Sequence, residues 1–447
     1  MKKVLIITYY WPPSGGAGVQ RWLKFVKYLP LYNWKPIVYT VDNGDIPVED
    51  LSLLKDIPDN TTVLKTPIWE PYDFYRKFTG LGKDEKLNTG FPGKSGKSTF
   101  KQKMAVWLRG NIFIPDARMF WIKPSVKYLK EYLYKNSVDV IVSTGPPHSL
   151  HLIALKLKKE FPEIKWVADF RDPWTNIDFY LDLNLSKWAD KKHHRLELKV
   201  IEEADEVVSI GKTMNEELIE IYKTNNQGKP VEKFNVITNG FDEDDVLKST
   251  VEKDKKFTIA HIGTIAKSRN PKILWEVLQE LISEYNEFKA DLELKLVGKI
   301  DAVALESIAE YGIKNNVNLI DYLPHDKVIE EQMKSRVLLL IVNNTPNAKG
   351  ILTGKFFEYL ATKNPILAIG PVDGDLSEII NETRCGYISG FQDKEGLKKN
   401  ILSLYSDFKN HKSLTSGADI EKYSRKLLSS KMANVFNNHS KKISTTN

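Results

Sequence analysis

Arg269, Lys355 and Glu358 carry the chain's clearest signature of anion chemistry. Lys267 and Arg269 stand in HIGTIAKSRNP, between an apolar run and a helical pattern that opens at Pro271. Cations at the positive end of a helix are unfavourable unless they face an anion, and a diphosphate suits two of them. Thr353-Gly354-Lys355-Phe356-Phe357-Glu358-Tyr359 opens a second helical pattern. Lys355 and Glu358 are three apart and share a face, so they either pair with each other or offer a cation and a carboxylate to one ligand.

The first half of the chain offers a different set. An apolar run ends in Trp11-Pro12-Pro13-Ser14-Gly15-Gly16-Ala17-Gly18. Gly15 and Gly16 permit a tight turn and expose amide hydrogens beside a helix start, which attracts anions. Arg21 stands where a dinucleotide fingerprint would need its third glycine, and a plain strand-to-helix turn is the competing reading. After VDVIVST comes Gly145-Pro146-Pro147-His148, and after KWVADF comes Arg171-Asp172-Pro173-Trp174. Both follow neighbouring predicted strands, so His148, Asp169, Arg171 and Asp172 are expected on one face. There they either meet a ligand or, for the Asp-Phe-Arg-Asp run, pair internally. His148 reads equally as a helix-start residue or a ligand contact.

Holding such loops in place requires strands that end where the loops begin. Near-continuous apolar runs at 4–10, 36–41, 138–144, 165–170, 206–210 and 234–238 predict buried parallel strands, with helical patterns at 19–29, 148–161 and 190–204. The second half repeats the scheme, with strands at 257–263, 292–298, 317–320, 337–342 and 365–370 and helices including 271–285 and 353–362. This alternation predicts an α/β protein of two facing Rossmann-like parallel-sheet domains, 1–240 and 257–415. A polar hinge at 241–256 joins them, and a C-terminal helix and tail follow at 416–447. Ligands in such sheets bind at the carboxyl ends of the strands.

Composition narrows the class. Hydrophobic residues make up 42% and charged residues 28%, as in a soluble globular protein and unlike a disordered one. No apolar run approaches the roughly 18 residues of a membrane span. The opening MKKVLIITYYW imitates a signal peptide, but Pro12-Pro13-Ser14-Gly15-Gly16 follows in place of a cleavage site, so it is read as a buried strand. The single cysteine, Cys385, excludes an internal disulfide and leaves too few thiolates for a zinc or iron–sulfur centre. It reads as a small buried residue in a chain suited to a reducing cytoplasm. Asp242-x-Asp244 and Asp373-x-Asp375 imitate a metal clamp yet lie in polar loops, so they are read as turn residues and no metal is expected.

The charge is concentrated. The net charge is +7, whereas the window 83–130 holds nine Lys and two Arg against three acidic residues, a net +8. Such an excess attracts a phosphate-rich ligand, an anionic membrane or a nucleic acid. No nucleic-acid module accompanies it, so nucleic acid is not expected. Gly96-Lys97-Ser98 is no P-loop, because Phe91 stands where its first glycine belongs. Further on, Phe100, Met104, Trp107, Leu108 and Ile112 fall near helical spacing with Lys101, Lys103 and Arg109 between them. That segment is either a helix on an anionic bilayer or, the commoner fate, one packed on its own domain.

Taken in order, these motifs resemble glycosyltransferase family 4, retaining sugar-nucleotide transferases of the GT-B fold, and most of all its bacterial surface-polysaccharide members. The matching residues run from the Gly-rich turn through Asn239-Gly240-Phe241-Asp242, His261-Ile262-Gly263 and Arg269 to Lys355-Phe356-Phe357-Glu358-Tyr359-Leu360-Ala361 and Pro365. The resemblance implies a nucleoside-diphosphate sugar as donor, no cofactor, and a hexosyl or related group moved to a glycan or polyprenyl-linked acceptor hydroxyl. Glu358 would accept hydrogen bonds from the ribose hydroxyls, while Arg269 and Lys355 would hold the diphosphate. Gly15 and Gly16 would let the backbone approach the donor, with Thr353 beside its sugar. His148, Arg171 and Asp172 would line the acceptor side. A cytoplasmic site at the inner face of the cell membrane would follow, with 83–130 suited to touching it. Two positions depart from the family: Gly350 stands eight before Glu358 where a glutamate is common, and Arg171 stands where many members have histidine. A sugar-nucleotide epimerase of the same fold and a non-catalytic scaffold are the rival readings.

Overall fold

Val4 and Ile6 face one side of the first strand while Leu5 and Ile7 face the other, and all four are fully buried in separate apolar clusters. A strand covered on both faces belongs in a parallel sheet with helices above and below. The computed structural model describes residues 1–46, 48–71, 100–246, 251–412 and 419–438. It divides into two units, Met1–Thr238 with the chain from Leu428 onward, and Asn239–Leu427.

In unit 1 the order is β1 (Lys2–Ile7), α1 (Ala17–Tyr28), β2 (Trp34–Val41), β3 (Thr62–Thr66), α2 (Phe100–Asn111) and α3 (Ile122–Lys135). There follow β4 (Val140–Gly145), α4 (Ser149–Glu160), β5 (Lys165–Phe170), α5 (Lys187–Glu203), β6 (Glu206–Ser209), α6 (Lys212–Asn225) and β7 (Phe234–Val236). All seven strands are parallel, in the order β3-β2-β1-β4-β5-β6-β7.

Unit 2 runs α7 (Glu243–Val246), β8 (Phe257–Ile262), α8 (Lys272–Glu284), α9 (Asn286–Asp291), β9 (Leu292–Val297), α10 (Ala302–Glu310), β10 (Val317–Ile320) and α11 (His325–Lys334). It continues with β11 (Val337–Ile341), α12 (Gly354–Ala361), β12 (Ile366–Ile369), α13 (Asp375–Thr383), β13 (Gly386–Ser389) and α14 (Lys394–Lys409). Its six strands are parallel in the order β10-β9-β8-β11-β12-β13. The last helix, α15 (Arg425–Asn437), carries the chain from one unit to the other, and Phe436 packs edge-on against Trp34 of β2 at 5.1 Å.

The two sheets share one plan. Strand order reverses beside β1 in the first and beside β8 in the second, which opens a crevice between the loops after β1 and β4, and after β8 and β11. The Gly-rich turn and His148 occupy the first crevice, Gly263 to Arg269 and Asn343 the second. Two strands escaped the sequence reading, β3 and β13. Both are edge strands in which only the last residue, Thr66 or Ser389, is buried, so neither shows a continuous apolar run.

The aspartates of the two Asp-x-Asp runs sit in loops and at helix starts. Asp242 accepts from the amide of Asp244 at 3.2 Å, and Asp373 pairs with Lys349 at 2.5 Å. Among the described residues no cluster of His, Cys, Asp and Glu is arranged to hold a metal ion. Cys385 is buried, and burial pushes its thiol up to about 11. The segment 83–99, with the Lys97 region, lies outside the described residues. Of the following helix, α2 forms as expected; its last turn packs inward, Gly110 against Leu183 and Leu185, while Trp107 remains exposed.

Candidate functional site

In unit 2 the site begins with a glycine. Gly263 follows β8 at φ +128°, a conformation that side chains resist, and its amide donates to the Val297 carbonyl at 2.7 Å. A Cβ there would lie 2.3 Å from Lys355 Nζ. Only a bare backbone lets that ammonium settle beside the strand end. Lys355 is half-buried on the first turn of α12 and makes no ion pair among the described residues. Burial, and then the charge of Arg269, pull its pKa down to about 8, against a smaller attraction from Glu358. The helix-face salt bridge between Lys355 and Glu358, one of the two sequence readings, is therefore not formed.

Arg269 ends a 3-10 turn, Lys267–Arg269, three residues before α8. Its Nε donates to Asn343 Oδ1 at 2.6 Å, which ties the loop after β8 to the loop after β11. Glu358 lies one turn along α12 and faces Gln332, whose Nε2 stands 3.5 Å from Oε2. Tyr359, on the same turn, accepts from the amide of Ile262 at 3.0 Å and anchors α12 against β8. Thr353 precedes α12 without capping it, and its buried Oγ1 has no hydrogen-bond partner. His261, fully buried, donates through Nδ1 to the Leu339 carbonyl at 3.1 Å; burial and Lys355 hold its pKa near 3, so it is neutral. An ammonium of lowered pKa, a guanidinium and a carboxylate thus line one strand-end crevice, an arrangement suited to a phosphate with polar groups beside it.

In unit 1 the expected cluster splits in two. Asp169 turns into the core rather than toward Arg171. Arg21 reaches it from α1, Nη2 to Oδ1 at 2.8 Å, and Trp22 Nε1 and Thr144 Oγ1 add bonds at 2.7 and 2.8 Å. Burial would raise this carboxyl, but the Arg21 charge and the hydrogen bonds hold it below its usual range. The residue in the place of a third glycine is thus a structural cation. Nothing in the sequence marks Arg21 and Asp169 as partners, since 148 positions separate them.

The other half stays at the crevice. Arg171 spends Nη1 on the Gly18 carbonyl at 3.0 Å and Nη2 on the Pro146 carbonyl, while its buried Nε has no partner. His148 immediately precedes α4 and does not cap it; its ring lies parallel to Trp174 at 4.7 Å. Burial, helped by His151 and Arg171, drives its pKa well below the usual range, leaving a neutral ring whose buried Nδ1 has no hydrogen-bond partner. Trp174 donates to His193 Nδ1 at 3.1 Å, which fixes the plane on which His148 rests. Asp172 reaches solvent, yet the protein packed around it pushes its carboxyl up to about 6 against the pull of Arg171. Gly16 opens α1 at φ +91° with free space around it, whereas the Gly15 amide already donates to the Val48 carbonyl at 2.7 Å.

Residues 256–407, about a third of the chain, match the family model for glycosyl transferases group 1. No curated protein sequence matches the chain. Solved structures do. HepE from Anabaena, in complex with UDP, is 13% identical over 98% of this chain and 100% of its own, with a TM-score of 0.62. WaaG, described as a glycosyltransferase involved in lipopolysaccharide biosynthesis, is 12% identical over 98% and 100%, with a TM-score of 0.54. A Listeria monocytogenes protein provisionally described as a UDP-N-acetylglucosamine 2-epimerase is 14% identical over 98% and 96%, with a TM-score of 0.55. At these identities the likeness shows the GT-B fold.

Proposed function

We propose that the protein is a retaining glycosyltransferase that moves a hexosyl or related group from a nucleoside-diphosphate sugar to an acceptor hydroxyl. The observation that carries this reading is the unpaired Lys355 ammonium held against Gly263 beside Arg269, in the segment that matches the group 1 family model. In the reaction the bond from the sugar's anomeric carbon to the diphosphate breaks and a bond to the acceptor oxygen forms. Negative charge grows on the departing diphosphate, and fixed cations stabilise that growth more than the ground state. Arg269 and Lys355 do this work, with Glu358 on the ribose hydroxyls and Thr353 Oγ1 and the backbone near Gly350 beside the sugar.

Unit 1 serves the acceptor. His148 and Arg171 each keep a buried nitrogen without a hydrogen-bond partner among the described residues, a polar lining suited to a hydroxyl-rich ligand. Asp172, ionised at neutral pH with a carboxyl near 6, is suited to receive the acceptor's proton. The acceptor is a glycan or polyprenyl-linked sugar of surface polysaccharide or lipopolysaccharide assembly, met on the cytoplasmic face of the membrane. None of the described helices is long and apolar enough to cross a membrane.

The test is calorimetry with UDP and GDP, with and without Glu358→Ala, followed by incubation with the sugar nucleotide alone. Tight binding of one nucleotide, weakened by the substitution, supports the donor site. Binding of neither nucleotide refutes it in favour of a scaffold. Conversion of the sugar nucleotide to its epimer without acceptor would move the protein to the epimerases.

A further inference from the structure

The loop that follows β5, residues 171–180, forms neither helix nor strand, yet it carries Arg171 and Asp172 at its start and the Trp174 ring stacked on His148. Without backbone pairing such a loop keeps its place through side chains and the rigid elements beside it. Three of those side chains come from one face of α5. Asp190, His193 and Glu197 follow one another at steps of three and four, so they line up along the helix. Glu197 accepts from the Thr175 hydroxyl at 2.5 Å, and the amides of Trp174 and Thr175 face the same carboxylate. His193 accepts the Trp174 indole N–H on Nδ1 at 3.1 Å. Asp190 accepts from the Tyr180 hydroxyl at 3.0 Å, at the far end of the loop.

The middle bond of the three has only one possible sense. An indole N–H donates and never accepts, so Nδ1 of His193 carries a lone pair and the ring proton sits on Nε2. Nε2 faces the Gly110 carbonyl at 3.5 Å, in the last turn of α2, which agrees with that tautomer. Burial lowers the pKa of His193 against the Gly110 carbonyl, Asp116 and Asp190, and so keeps the ring neutral. His193 and Trp174 are each only 3% exposed. Apolar residues of the same shape would fill this space at little cost in stability, because a buried hydrogen bond adds modestly to the net balance. What the bond adds is geometry: it fixes how the indole is turned within its slot. That ring in turn lies within 7° of parallel to His148.

We propose that His193 is a positioning residue of the transfer reaction: through its bond to Trp174 it holds His148 and the loop of Asp172 in their working geometry while touching neither substrate. This role rests on the reading of unit 1 as the acceptor side. A residue that merely packs the core would, when replaced, lower stability and leave turnover of the folded fraction alone. A positioning residue lowers turnover itself. Nucleotide affinity should stay in place, since the cations assigned to the diphosphate belong to unit 2. Glu197 and Asp190 hold the backbone and the far end of the same loop, so His193 is the one of the three whose loss is felt at the His148 ring first.

The experiment compares the full chain with His193→Leu, His193→Asn and Trp174→Phe. The first readout is NMR of histidine-labelled protein, in which the chain's 8 histidines give separate ring signals. The His148 signal should move in His193→Leu and stay in place in His193→Asn, whose Oδ1 stands off Cγ as Nδ1 does and accepts from the indole. The second readout is nucleotide release from UDP-glucose, UDP-N-acetylglucosamine and GDP-mannose, with water supplying the acceptor oxygen. His193→Leu should lower kcat by roughly 10- to 100-fold, the scale on which small misplacements act, with KM and UDP or GDP affinity unchanged. His193→Asn should recover most of that loss. Adding Trp174→Phe to His193→Leu should cost little beyond the larger single loss, because both remove one bond. An unmoved His148 signal overturns the proposal, as do additive losses in the double variant or a parallel loss of nucleotide affinity. No release by the native chain from any of the three sugar nucleotides would instead count against the transferase reading, and the His148 signal would still decide whether His193 holds that ring.

Discussion

The two units follow the same strand order but treat charge in opposite ways at the crevice each sheet opens. In unit 1 the strong charges are satisfied internally: Arg21 and Asp169 lock α1 to β5, and Arg171 spends two nitrogens on backbone carbonyls. What remains without a hydrogen-bond partner among the described residues is one buried nitrogen each from His148 and Arg171, with the Asp172 carboxylate exposed beside them. In unit 2 a buried charge is left without a counter-charge. Lys355 makes no ion pair among the described residues, and its depressed pKa records that burial and Arg269 oppose its proton. One plan thus yields a crevice built around its own ion pair and another that an anion would complete.

The largest expected effect comes from breaking the first. Arg21→Met leaves the Asp169 carboxylate buried and unpaired and should cost about 3–5 kcal/mol of stability, read by denaturant unfolding. Asp169→Asn should cost less, since its amide retains Trp22 and Thr144 as neighbours. Replacing both with apolar residues should recover much of the loss, because removing a buried pair together is often close to neutral. If Arg21→Met is silent, the contrast between the units fails at its first point.

The second prediction tests the open site. Lys355→Ala should weaken nucleotide binding by roughly 10- to 100-fold while leaving the fold intact, because a charge-assisted bond is worth about 1.5–3 kcal/mol. The sign of the pH effect follows from the same lysine. A bound diphosphate favours the charged form, so the free protein must take up a proton once the pH exceeds its pKa. Affinity is full below about 8 and falls, by up to about tenfold per pH unit, as the pH rises through that value. Lys355→Arg keeps its charge at every accessible pH and should flatten the profile. A profile in the native chain that is already flat from 7 to 10 would mean that Lys355 does not touch the nucleotide.

Legibility in the sequence divides along the same line. The open site was readable because its residues lie in short local motifs: Gly263, Arg269, Lys355 and Glu358 sit where a strand ends or a helix begins. The closed one was not, since Asp169 belongs to the same short run as Arg171 but bonds to a residue 148 positions away. Asn343 and Gln332, which hold Arg269 and Glu358, sit in no motif at all. Edge strands β3 and β13 escaped for a different reason. A strand half open to solvent carries residues such as Lys65 and Tyr387 that interrupt the apolar run. The central strands, doubly covered, stay mostly apolar even where Asp169 or Lys295 interrupts them, and were found.

The smallest effect separates the two aspartates of unit 1, which sit three residues apart and lean opposite ways. Asp169 is held low by Arg21, so its charge stabilises the fold above the unfolded pKa, and that contribution fades in acid. Asp172 is raised to about 6, so its charge destabilises the fold at neutral pH, and the penalty is relieved as the pH falls from about 6 toward 4, the unfolded value. Asp172→Asn should therefore raise the Tm slightly at neutral pH and leave it unchanged near pH 4, whereas Asp169→Asn should lower it at neutral pH and progressively less in acid. The effect of Asp172 is modest because its side chain reaches water, which screens the charge. Activity should move the other way: a carboxylate that receives the acceptor's proton is lost with the substitution, and in the native chain turnover should fall as the pH drops below about 6. A variant that is both more stable and fully active would leave Asp172 as a solvated neighbour of Arg171, and the acceptor's proton would then need another destination.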